Sequence, residues 1–363
     1  MKKCIYITDD GWWDTDVTIL PQIVDDYDIT VVVSERKNQL KYENKDMSGI
    51  SDIVTYQTQY KNSDLRKFIQ SFSFALKNYK KLFRKQQVPL ILYLKNSDIV
   101  LTFLSTLFLN KKRTIVGIHD YKIHKGKSSK YYEFLYNMMY HRFHYFLFFS
   151  ESQYTAFLSS YPNKKAFYIN MPLKNFGDIT KEKHECRKRV FLFFGFIQEY
   201  KRLDLFIKAA QKADSTGTFI IAGACNDWSL YETMLTGNEN IQCDIHFLSK
   251  EEIRSYFQKA DYLVLPYDEA TQSGPLTIAY NYCLPVIATD IDIFKRMVSN
   301  GENGFLFPKG NLQAFIQTIN QANNISNEEY ESLTENMRKR RKEYQATTNF
   351  KAALKDFLEE NNI

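Results

Sequence analysis

Short apolar runs alternate along this chain with longer segments in which apolar residues recur every three or four positions. The runs predict buried strands, and the periodic segments predict amphipathic helices. The strands predicted in the first half lie at residues 3–8, 29–33, 90–94, 114–118, 145–149 and 167–169. The helices predicted between them lie at 16–26, 64–85, 97–109, 129–142 and 151–160. Continuous apolar strands separated by helices of this length predict a parallel sheet with helices on both faces.

A break in this pattern at residues 170–188 predicts a domain boundary, because the segment contains Pro172, Gly177 and many charged residues. The alternation then restarts, with strands predicted at 190–194, 218–222, 241–247, 261–265, 284–288 and 304–307. Helices are predicted at 203–213, 229–235, 250–260, 276–282, 312–322, 327–344 and 348–360. Since 363 residues suit two domains, we expect an α/β fold of two doubly wound Rossmann-like domains facing each other across a cleft.

The composition allows two cores but does not specify a ligand. Hydrophobic residues make up 44% of the chain and charged residues 25%, and the formal net charge is +6. Five scattered cysteines without C-x-x-C spacing indicate neither a disulfide framework nor a zinc site. The N-terminus lacks a signal-peptide pattern, and the longest apolar run, 99–109, is too short to span a bilayer. We therefore expect a soluble cytoplasmic protein and keep open a peripheral position on the inner face of the membrane.

The stretch 261–290 predicts strand, loop, helix and strand in succession. Ser273 suits a helix N-cap, Gly274 leaves the backbone accessible, and Pro275 suits the first helical position. Such a helix start, placed after a parallel strand, can bind an anion such as phosphate. The alternative is an ordinary loop-to-helix start that binds nothing.

A basic pair follows the first strand of the second domain. That strand ends at Gly195, and Lys201 and Arg202 precede an amphipathic helix. Cations at this place can reach the crevice from the side opposite Gly274, so the pair and the helix start at Ser273 would bracket a diphosphate. The alternative is a solvated pair on the first turn of the helix.

Five ordered blocks in residues 190–308 resemble the nucleotide-sugar domain of the family 4 retaining glycosyltransferases, which have the GT-B fold. The blocks are FFGFIQEYKRLDLFIKA, FIIAGA, IHFLSKEEIRSYFQKADYLVLPY, ATQSGPLTIAYNYCLPVIATD and NGENGFLF. The first half is similar to the acceptor domain of that family, most clearly in IVGIHDYKIHKG at 115–126. The resemblance implies an acceptor-binding domain at 1–170, a nucleotide-sugar domain at 171–345, and a C-terminal helix at 346–363 that packs back on the first domain.

The resemblance also implies roles in donor binding and shows three departures. Lys201 occupies the position of the basic residue that binds the diphosphate, whereas Phe196 stands where the family has an arginine. Ala270 and Ile278 stand where it has two glutamates, so this chain resembles the S-G variant of the family. The resemblance implies further contacts with three parts of the donor. The diphosphate would contact Gly195, Arg202, Ser273, Gly274, Pro275 and Leu276. The donor sugar or ribose would contact Thr271 and Gln272, and the base would contact Phe247 and Leu248.

His119 is the candidate catalytic residue of the first half. It ends the predicted strand 114–118, at the sheet edge where ligands bind. The resemblance places this histidine against the donor sugar, where it could orient a hydroxyl or the leaving phosphate; the alternative is a bond to a neighbouring backbone carbonyl. Gly11 and Trp12 follow the first strand, where the backbone could approach the acceptor and an indole could stack on a sugar, or the tryptophan could lie in the core.

The predicted helix 64–85 carries apolar residues on one face and many lysines and arginines elsewhere. It either covers the sheet or contacts an anionic membrane. The resemblance implies a retaining glycosyltransferase that uses a nucleotide diphosphate sugar and a carbohydrate or lipid-linked acceptor, in cell-surface polysaccharide or glycolipid synthesis. We expect no metal, no other cofactor and no nucleic-acid partner. The alternatives are a noncatalytic GT-B partner subunit and a nucleotide-sugar epimerase or hydrolase.

Overall fold

The computed structural model divides the chain into two compact units. The first comprises Met1–Pro172 and Thr347–Ile363, and the second comprises Leu173–Ala346. The structure describes residues 1–36, 48–58, 69, 72–74, 76, 77, 89–94, 98–119, 121, 130–180, 188–213, 217–235, 237 and 240–363. The two units are described separately below.

The first unit contains a parallel sheet of seven strands in the described ranges. Its strands are β1 (Lys2–Asp9), β2 (Tyr27–Arg36), β3 (Asp52–Thr58), β4 (Leu90–Leu94), β5 (Thr114–Ile118), β6 (Tyr145–Phe148) and β7 (Lys165–Tyr168). Its helices before the boundary are α1 (Trp13–Ile19), α2 (Ile99–Phe108), α3 (Lys130–Arg142) and α4 (Glu151–Ser160). The strand order is β3-β2-β1-β4-β5-β6-β7.

The second unit repeats this architecture with six parallel strands in the part of the chain that the structure describes. Its strands are β8 (Val190–Phe194), β9 (Thr218–Ala222), β10 (Ile241–Asp244), β11 (Tyr262–Leu265), β12 (Val286–Thr289) and β13 (Gly304–Phe307). Its helices are α5 (Leu203–Lys212), α6 (Ser229–Glu232), α7 (Lys250–Lys259), α8 (Gly274–Asn281), α9 (Asp292–Met297), α10 (Leu312–Asn324) and α11 (Asn327–Ala346). The strand order is β10-β9-β8-β11-β12-β13.

Both sheets have the doubly wound order, in which the direction of winding reverses beside the first strand of the unit. The reversal lies between β1 and β4 in the first unit and between β8 and β11 in the second. Ligands of open α/β sheets bind outside the carboxyl ends of the strands at such a point. The α/β prediction with Rossmann-like sheets is therefore confirmed, and the topology marks where a ligand site is expected in each unit.

Aromatic side chains build much of the core. In the second unit the Phe191 ring stacks on Phe219 at 5.1 Å and on Tyr262 at 5.5 Å between ring centroids, across three adjacent strands. All three are buried. Such pairs contribute about 0.5–1.5 kcal/mol beyond the burial of their area. Aromatic residues make up 15% of the chain, and these three contribute to the packing of the second sheet.

The last helix, α12 (Phe350–Asn361), belongs to the first unit. Its Phe357 ring stacks on Phe167 of β7 with ring centroids 4.6 Å apart. Its first backbone amide, at Phe350, donates to the Gln22 side-chain oxygen at 2.8 Å. The helix is therefore fixed by a ring contact near one end and a side-chain cap at the other.

Several elements differ from the sequence prediction. β3 and α9 were not predicted, and β10 ends at Asp244 rather than at 247. Among the described strands β3 pairs only with β2 and so lies at the edge of the sheet. Its alternation with polar residues lacks the continuous apolar run of a central strand. The helix predicted at 16–26 is replaced by α1 and a 3₁₀ turn at Leu20–Gln22, since Pro21 has no amide hydrogen for a continued α-helix.

The predicted helix 64–85 lies mostly outside the described residues. Residues 69, 72–74, 76 and 77 are described and helical. Ile69, Phe72 and Leu76 are exposed, whereas Phe74 packs against the core of the first unit. No helix within the described ranges is both long and apolar enough to cross a bilayer.

Candidate functional site

The candidate site of the second unit lies at the carboxyl ends of β8 and β11, the point where the sheet winding reverses. Gly195, Lys201 and Arg202 follow β8, and Thr271 to Gly274 connect β11 to α8. The topology therefore brings to one sheet edge the two segments that the sequence predicted to bracket a diphosphate.

Gly195 is the centre of this convergence. Its φ of 108° lies in the region that favours glycine. A Cβ atom at Gly195 would lie 3.3 Å from Lys201 Nζ and 3.5 Å from Pro275 Cγ. The lysine ammonium and the start of α8 therefore both lie next to Gly195. The space that a side chain at this position would occupy lies between them.

Gly223, which the sequence analysis did not single out, forms the neighbouring wall. Its φ is 144°, and a Cβ atom there would lie 2.3 Å from the Gly195 carbonyl oxygen. The Gly195 amide donates to the Ala222 carbonyl at 3.0 Å. Gly223 is thus required by backbone packing, and the glycine directly after a predicted strand, in IIAGA, is the signal that could have identified it.

Lys201 is held in a fixed position at this edge. It ends the 3₁₀ turn Glu199–Lys201, and only 7% of the residue is exposed. Its Nζ lies 5.6 Å from the centroid of the buried Tyr267 ring. A buried ammonium that lies beside an aromatic ring and a glycine is preorganised to meet an anion without a large loss of side-chain entropy.

Arg202 has a different environment from Lys201. It adopts a left-handed conformation, with φ 54° and ψ 49°. Its Nε and Nη2 donate to the two carboxylate oxygens of Asp204 at 2.9 and 3.1 Å, and its Nη1 donates to both oxygens of Asp268 at 3.1 and 3.2 Å. The hydrogen bond to Asp204 is the largest of the effects that raise the pKa of Arg202. The two members of the predicted basic pair therefore differ in their contacts. The Arg202 guanidinium is held by two carboxylates, whereas the Lys201 ammonium lies beside Gly195.

The two carboxylates that hold Arg202 belong to Asp204 and Asp268. Burial favours a raised pKa for Asp204, but the hydrogen bond and charge of Arg202 outweigh it, so the pKa is lowered. Asp268 lies in the loop after β11, and its amide also donates to the Tyr200 carbonyl at 2.8 Å. Arg202 and this backbone bond together tie the loop after β8 to the loop after β11.

α8 begins as the sequence predicts for an N-capped helix. Ser273 is the N-cap, and its hydroxyl accepts from the Leu276 amide at 3.3 Å. Pro275 has no amide hydrogen, and the Thr277 amide donates to the Ser273 carbonyl at 3.2 Å. The helix start therefore retains its dipole but offers few backbone donors, so an anion here depends on nearby cations more than at a typical phosphate-binding turn.

Lys174 is a second cation at this helix start, and the sequence analysis did not identify it. A Cβ atom at Gly274 would lie 3.1 Å from Lys174 Nζ. The lysine lies in the segment that was read only as a domain boundary. The spacing from Gly274 is a hundred residues, so no local pattern could have linked the two.

The other residues proposed for donor binding have mixed environments. Thr271 and Gln272 are half-buried in the loop before α8. Phe247 is 54% exposed, whereas Leu248 is buried in the core. Both lie in the loop after β10 rather than at a strand end, because the chain leaves the sheet at Asp244 and α7 is already capped at Ser249.

The positions where the related family has glutamates are apolar and packed. Ile278 is 3% exposed and belongs to the core of the second unit, and Ala270 packs against the same core. Phe196, at the position of the family arginine, is 42% exposed. Relative to that family, this chain therefore lacks two acids and one cation at these three positions.

In the first unit His119 directly follows β5, at the carboxyl edge of the sheet. Its ring lies 5.5 Å from the Trp12 ring in an edge-to-face arrangement, and Trp12 also contacts Phe149 at 5.2 Å. Trp12 is only 7% exposed, so the structure places its ring in the core beside the histidine rather than on the surface. The exposed Gly11 donates its amide to the Asp9 carboxylate at 2.9 Å.

Comparison with known proteins agrees with this geometry. Residues 188–324 match the family model of Glycosyl transferases group 1. This matched range contains Gly195, Lys201, Arg202 and the start of α8, whereas Lys174 lies outside it. A search of curated proteins found no significant match.

Solved structures similar to the whole chain include three that span nearly all of it. Sucrose-phosphate synthase from Thermosynechococcus elongatus is 14% identical with a TM-score of 0.71, covering 98% of this chain and 97% of its own. A glycosyltransferase from Rickettsia africae is 13% identical with a TM-score of 0.69, covering 99% and 98%. Anabaena HepE, in complex with UDP and glucose, is 13% identical with a TM-score of 0.70, covering 99% of each chain. These similarities establish the GT-B fold.

No group of three or more His, Cys, Asp or Glu side chains suited to a metal ion occurs among the residues that the structure describes. The expectation of a metal-independent reaction therefore stays a prediction.

Proposed function

We propose that this protein is a retaining glycosyltransferase that transfers a sugar from a nucleotide diphosphate sugar to an acceptor hydroxyl. The observation that carries the proposal is the convergence of Lys201, Gly195 and the start of α8 at the winding reversal of the second sheet. The match of this unit to a glycosyltransferase family model supports it.

The chemistry follows from where charge develops in the reaction. As the bond between the sugar and the diphosphate breaks, negative charge builds on the departing diphosphate. A buried lysine and a helix dipole fixed around that position stabilise the transition state more than the ground state. In this proposal Lys201 supplies the main positive charge and hydrogen bond to the diphosphate. Ser273 and Pro275 contribute by fixing the start of α8.

The remaining roles extend the same proposal. Thr271 and Gln272 bind the donor sugar or ribose, and the loop of Phe247 and Leu248 contacts the base. His119 acts on a sugar hydroxyl or the leaving phosphate, and its contact with Trp12 fixes its ring. Uridine is the base to test first, since Anabaena HepE was determined with UDP.

A noncatalytic partner subunit is the second candidate. Phe196, Ala270 and Ile278 replace one basic and two acidic residues of the related family, and Ile278 is a core residue. A chain that had lost turnover but kept its fold would show such replacements. An epimerase or hydrolase of the same fold is distinguished by its product.

The decisive experiment is a donor panel with turnover. Purified protein is mixed with UDP-, GDP- and ADP-sugars, with and without EDTA. Nucleoside diphosphate binding and release, sugar transfer to acceptors, and the sugar products formed without an acceptor are measured. We expect binding and transfer that persist in EDTA. Absence of nucleoside diphosphate binding contradicts the transferase, binding without transfer supports the subunit, and sugar isomerisation or sugar release to water supports the epimerase or hydrolase.

A lipid-linked acceptor and contact with an anionic membrane also form part of this proposal. Besides Ile69, Phe72 and Leu76, the end of α2 exposes Leu107 and Phe108, and exposed Lys111 and Lys112 follow it. Apolar side chains next to lysines suit the interface of an anionic bilayer. Burial is the largest cause that lowers the pKa of His144, and the positive charges of Lys164, Lys111 and Lys112 lower it further.

Vesicle flotation tests this membrane contact. The protein is mixed with vesicles of phosphatidylcholine alone or with phosphatidylserine, and Phe108→Ser and the Lys111→Glu, Lys112→Glu pair are compared with Lys212→Glu at the end of α5. We expect flotation only with the anionic lipid and a loss in the first two variants. Flotation that does not depend on lipid charge would exclude the electrostatic contact.

A further inference from the structure

Lys174 is fixed close to the start of α8 by the segment that opens the second unit. Leu173 is buried in the core of that unit. Two residues after Lys174, the Phe176 amide donates to the Tyr282 hydroxyl at 2.9 Å, and this hydroxyl donates to the Gly177 carbonyl at 3.0 Å. The backbone on both sides of Lys174 is therefore anchored to the same unit as α8.

Gly274 provides the space for the Lys174 ammonium. A Cβ atom at this glycine would lie 3.1 Å from Nζ and 3.7 Å from Cε of the lysine. A side chain at position 274 would meet the lysine and shift its ammonium away from the glycine by a few tenths of an ångström. The glycine thus has a role beyond access to the backbone, which is to admit a cation.

The charges around this point favour an anion. The start of a helix carries a partial positive charge, and the Lys174 ammonium beside Gly274 adds to the positive potential there. The loop before α8 contains two adjacent acidic residues. Asp268 is paired with Arg202, and Glu269 is exposed. Lys201, Lys174 and the helix dipole therefore converge where a group with several negative charges would bind.

We infer that Lys174 is a second diphosphate-binding residue, which supplies the cation that Phe196 does not provide. The inference rests on the proposed donor site and deepens it, because it assigns a residue outside the matched range 188–324 to the same ligand. Lys201 approaches the diphosphate beside Gly195, and Lys174 approaches it beside Gly274. The two lysines together replace the family's lysine and arginine.

The test measures binding of UDP, inorganic pyrophosphate and uridine by isothermal titration calorimetry to the full chain. We expect Lys174→Ala to weaken UDP and pyrophosphate binding about tenfold or more, as for a lost charged hydrogen bond, and to leave uridine binding unchanged. Lys174→Arg restores part of the affinity. Lys212→Ala is the control and should have no effect. Lys212 is exposed at the C-terminal end of α5, about 15 Å from the N-terminal end of that helix beside the proposed site.

A double-mutant cycle removes the ambiguity of a fold defect. Gly274→Ala weakens pyrophosphate binding in the wild-type background but adds little in Lys174→Ala, because the displaced ammonium is already absent. Additive effects, or wild-type affinity in Lys174→Ala, overturn the inference. If the wild-type protein binds neither UDP nor pyrophosphate, the proposed donor site itself fails, and this outcome is distinct from a lysine without effect.

Discussion

The Arg202 guanidinium donates to both carboxylate oxygens of Asp268, at 3.1 and 3.2 Å, across 66 residues of chain. This ion pair joins the loop that presents Lys201 to the loop that leads into α8. Arg202 adopts a left-handed conformation that costs a non-glycine residue about 1 kcal/mol or more, and such a cost persists only where surrounding contacts enforce it. We therefore predict that the pair positions the proposed diphosphate site.

Asp268→Asn tests this positioning role, with Asp204→Asn as the matched control. Both variants remove one carboxylate from Arg202, but only the first removes the side-chain ion pair between the two loops. Because the pair is partly exposed, we expect either change to cost less than about 1 kcal/mol of unfolding free energy. Asp268→Asn should weaken UDP binding about two- to tenfold, whereas Asp204→Asn should change it less. Equal effects of the two variants would contradict the positioning role.

His119 is predicted to act on the reaction rather than on nucleotide binding. His119→Ala should lower kcat about tenfold or more, as expected for a lost hydrogen bond to a charged group, with UDP affinity unchanged. Trp12→Phe keeps an aromatic ring against the histidine and should retain most activity, whereas Trp12→Leu should lower kcat. Steady-state kinetics with the accepted donor measures both. A loss that appears only in KM would assign His119 to binding.

The position of Ile278 is predicted to be unable to accommodate the glutamate that the related family has there. Ile278→Glu places a carboxylate in a core position of 3% exposure, so we expect a loss of about 4 kcal/mol or more in unfolding free energy. Ile278→Val is the size control and should cost about 0.5–1.5 kcal/mol. Ala270→Glu, at a half-buried position, should be tolerated better. Urea unfolding measures all three, and a stable Ile278→Glu protein would show that this site can accommodate the acid.

The start of α7 is predicted to depend on pH through Glu252. Its carboxylate accepts from the Ser249 amide at 2.7 Å and contacts His246 Nε2 at 2.9 Å. The Ser249 amide is the largest cause that lowers the pKa of Glu252 from 4.5 to about 2. A lowered pKa in the folded state means that the stabilisation is present above pH 4.5 and is lost as pH falls through about 2. NMR titration measures this pKa directly, and a value near 4.5 would show that the capping box does not hold in solution.

The architecture could be predicted from the sequence because buried parallel strands are apolar throughout. The strands 90–94, 114–118, 190–194, 218–222 and 304–307 have the predicted bounds. β3 was missed because an edge strand with one polar face does not carry that signal. Residues that directly follow a strand, such as Gly195 and His119, could be placed at the ligand edge because position along the chain determines it.

The remaining site residues depend on contacts between distant parts of the chain. Arg202 looks like a ligand-binding cation in sequence, and only the folded structure shows that Asp268 holds it. Lys174 looks like part of a linker, and its place beside Gly274 follows from the bonds of Tyr282 to the same segment. Trp12 gave no sign in sequence of whether its ring is exposed, because burial of an aromatic residue after a strand depends on neighbours such as Phe149.

The binding of UDP to Lys201→Ala, measured by calorimetry against wild type and Lys212→Ala, tests the central claim most directly. Lys201 is the buried cation at the winding reversal of the second sheet, and Lys212 is an exposed lysine at the far end of α5. We predict that Lys201→Ala loses about 1.5–3 kcal/mol of binding free energy, and that Lys212→Ala keeps wild-type affinity. Wild-type affinity in Lys201→Ala, with its fold intact by thermal unfolding, would contradict the proposed diphosphate site.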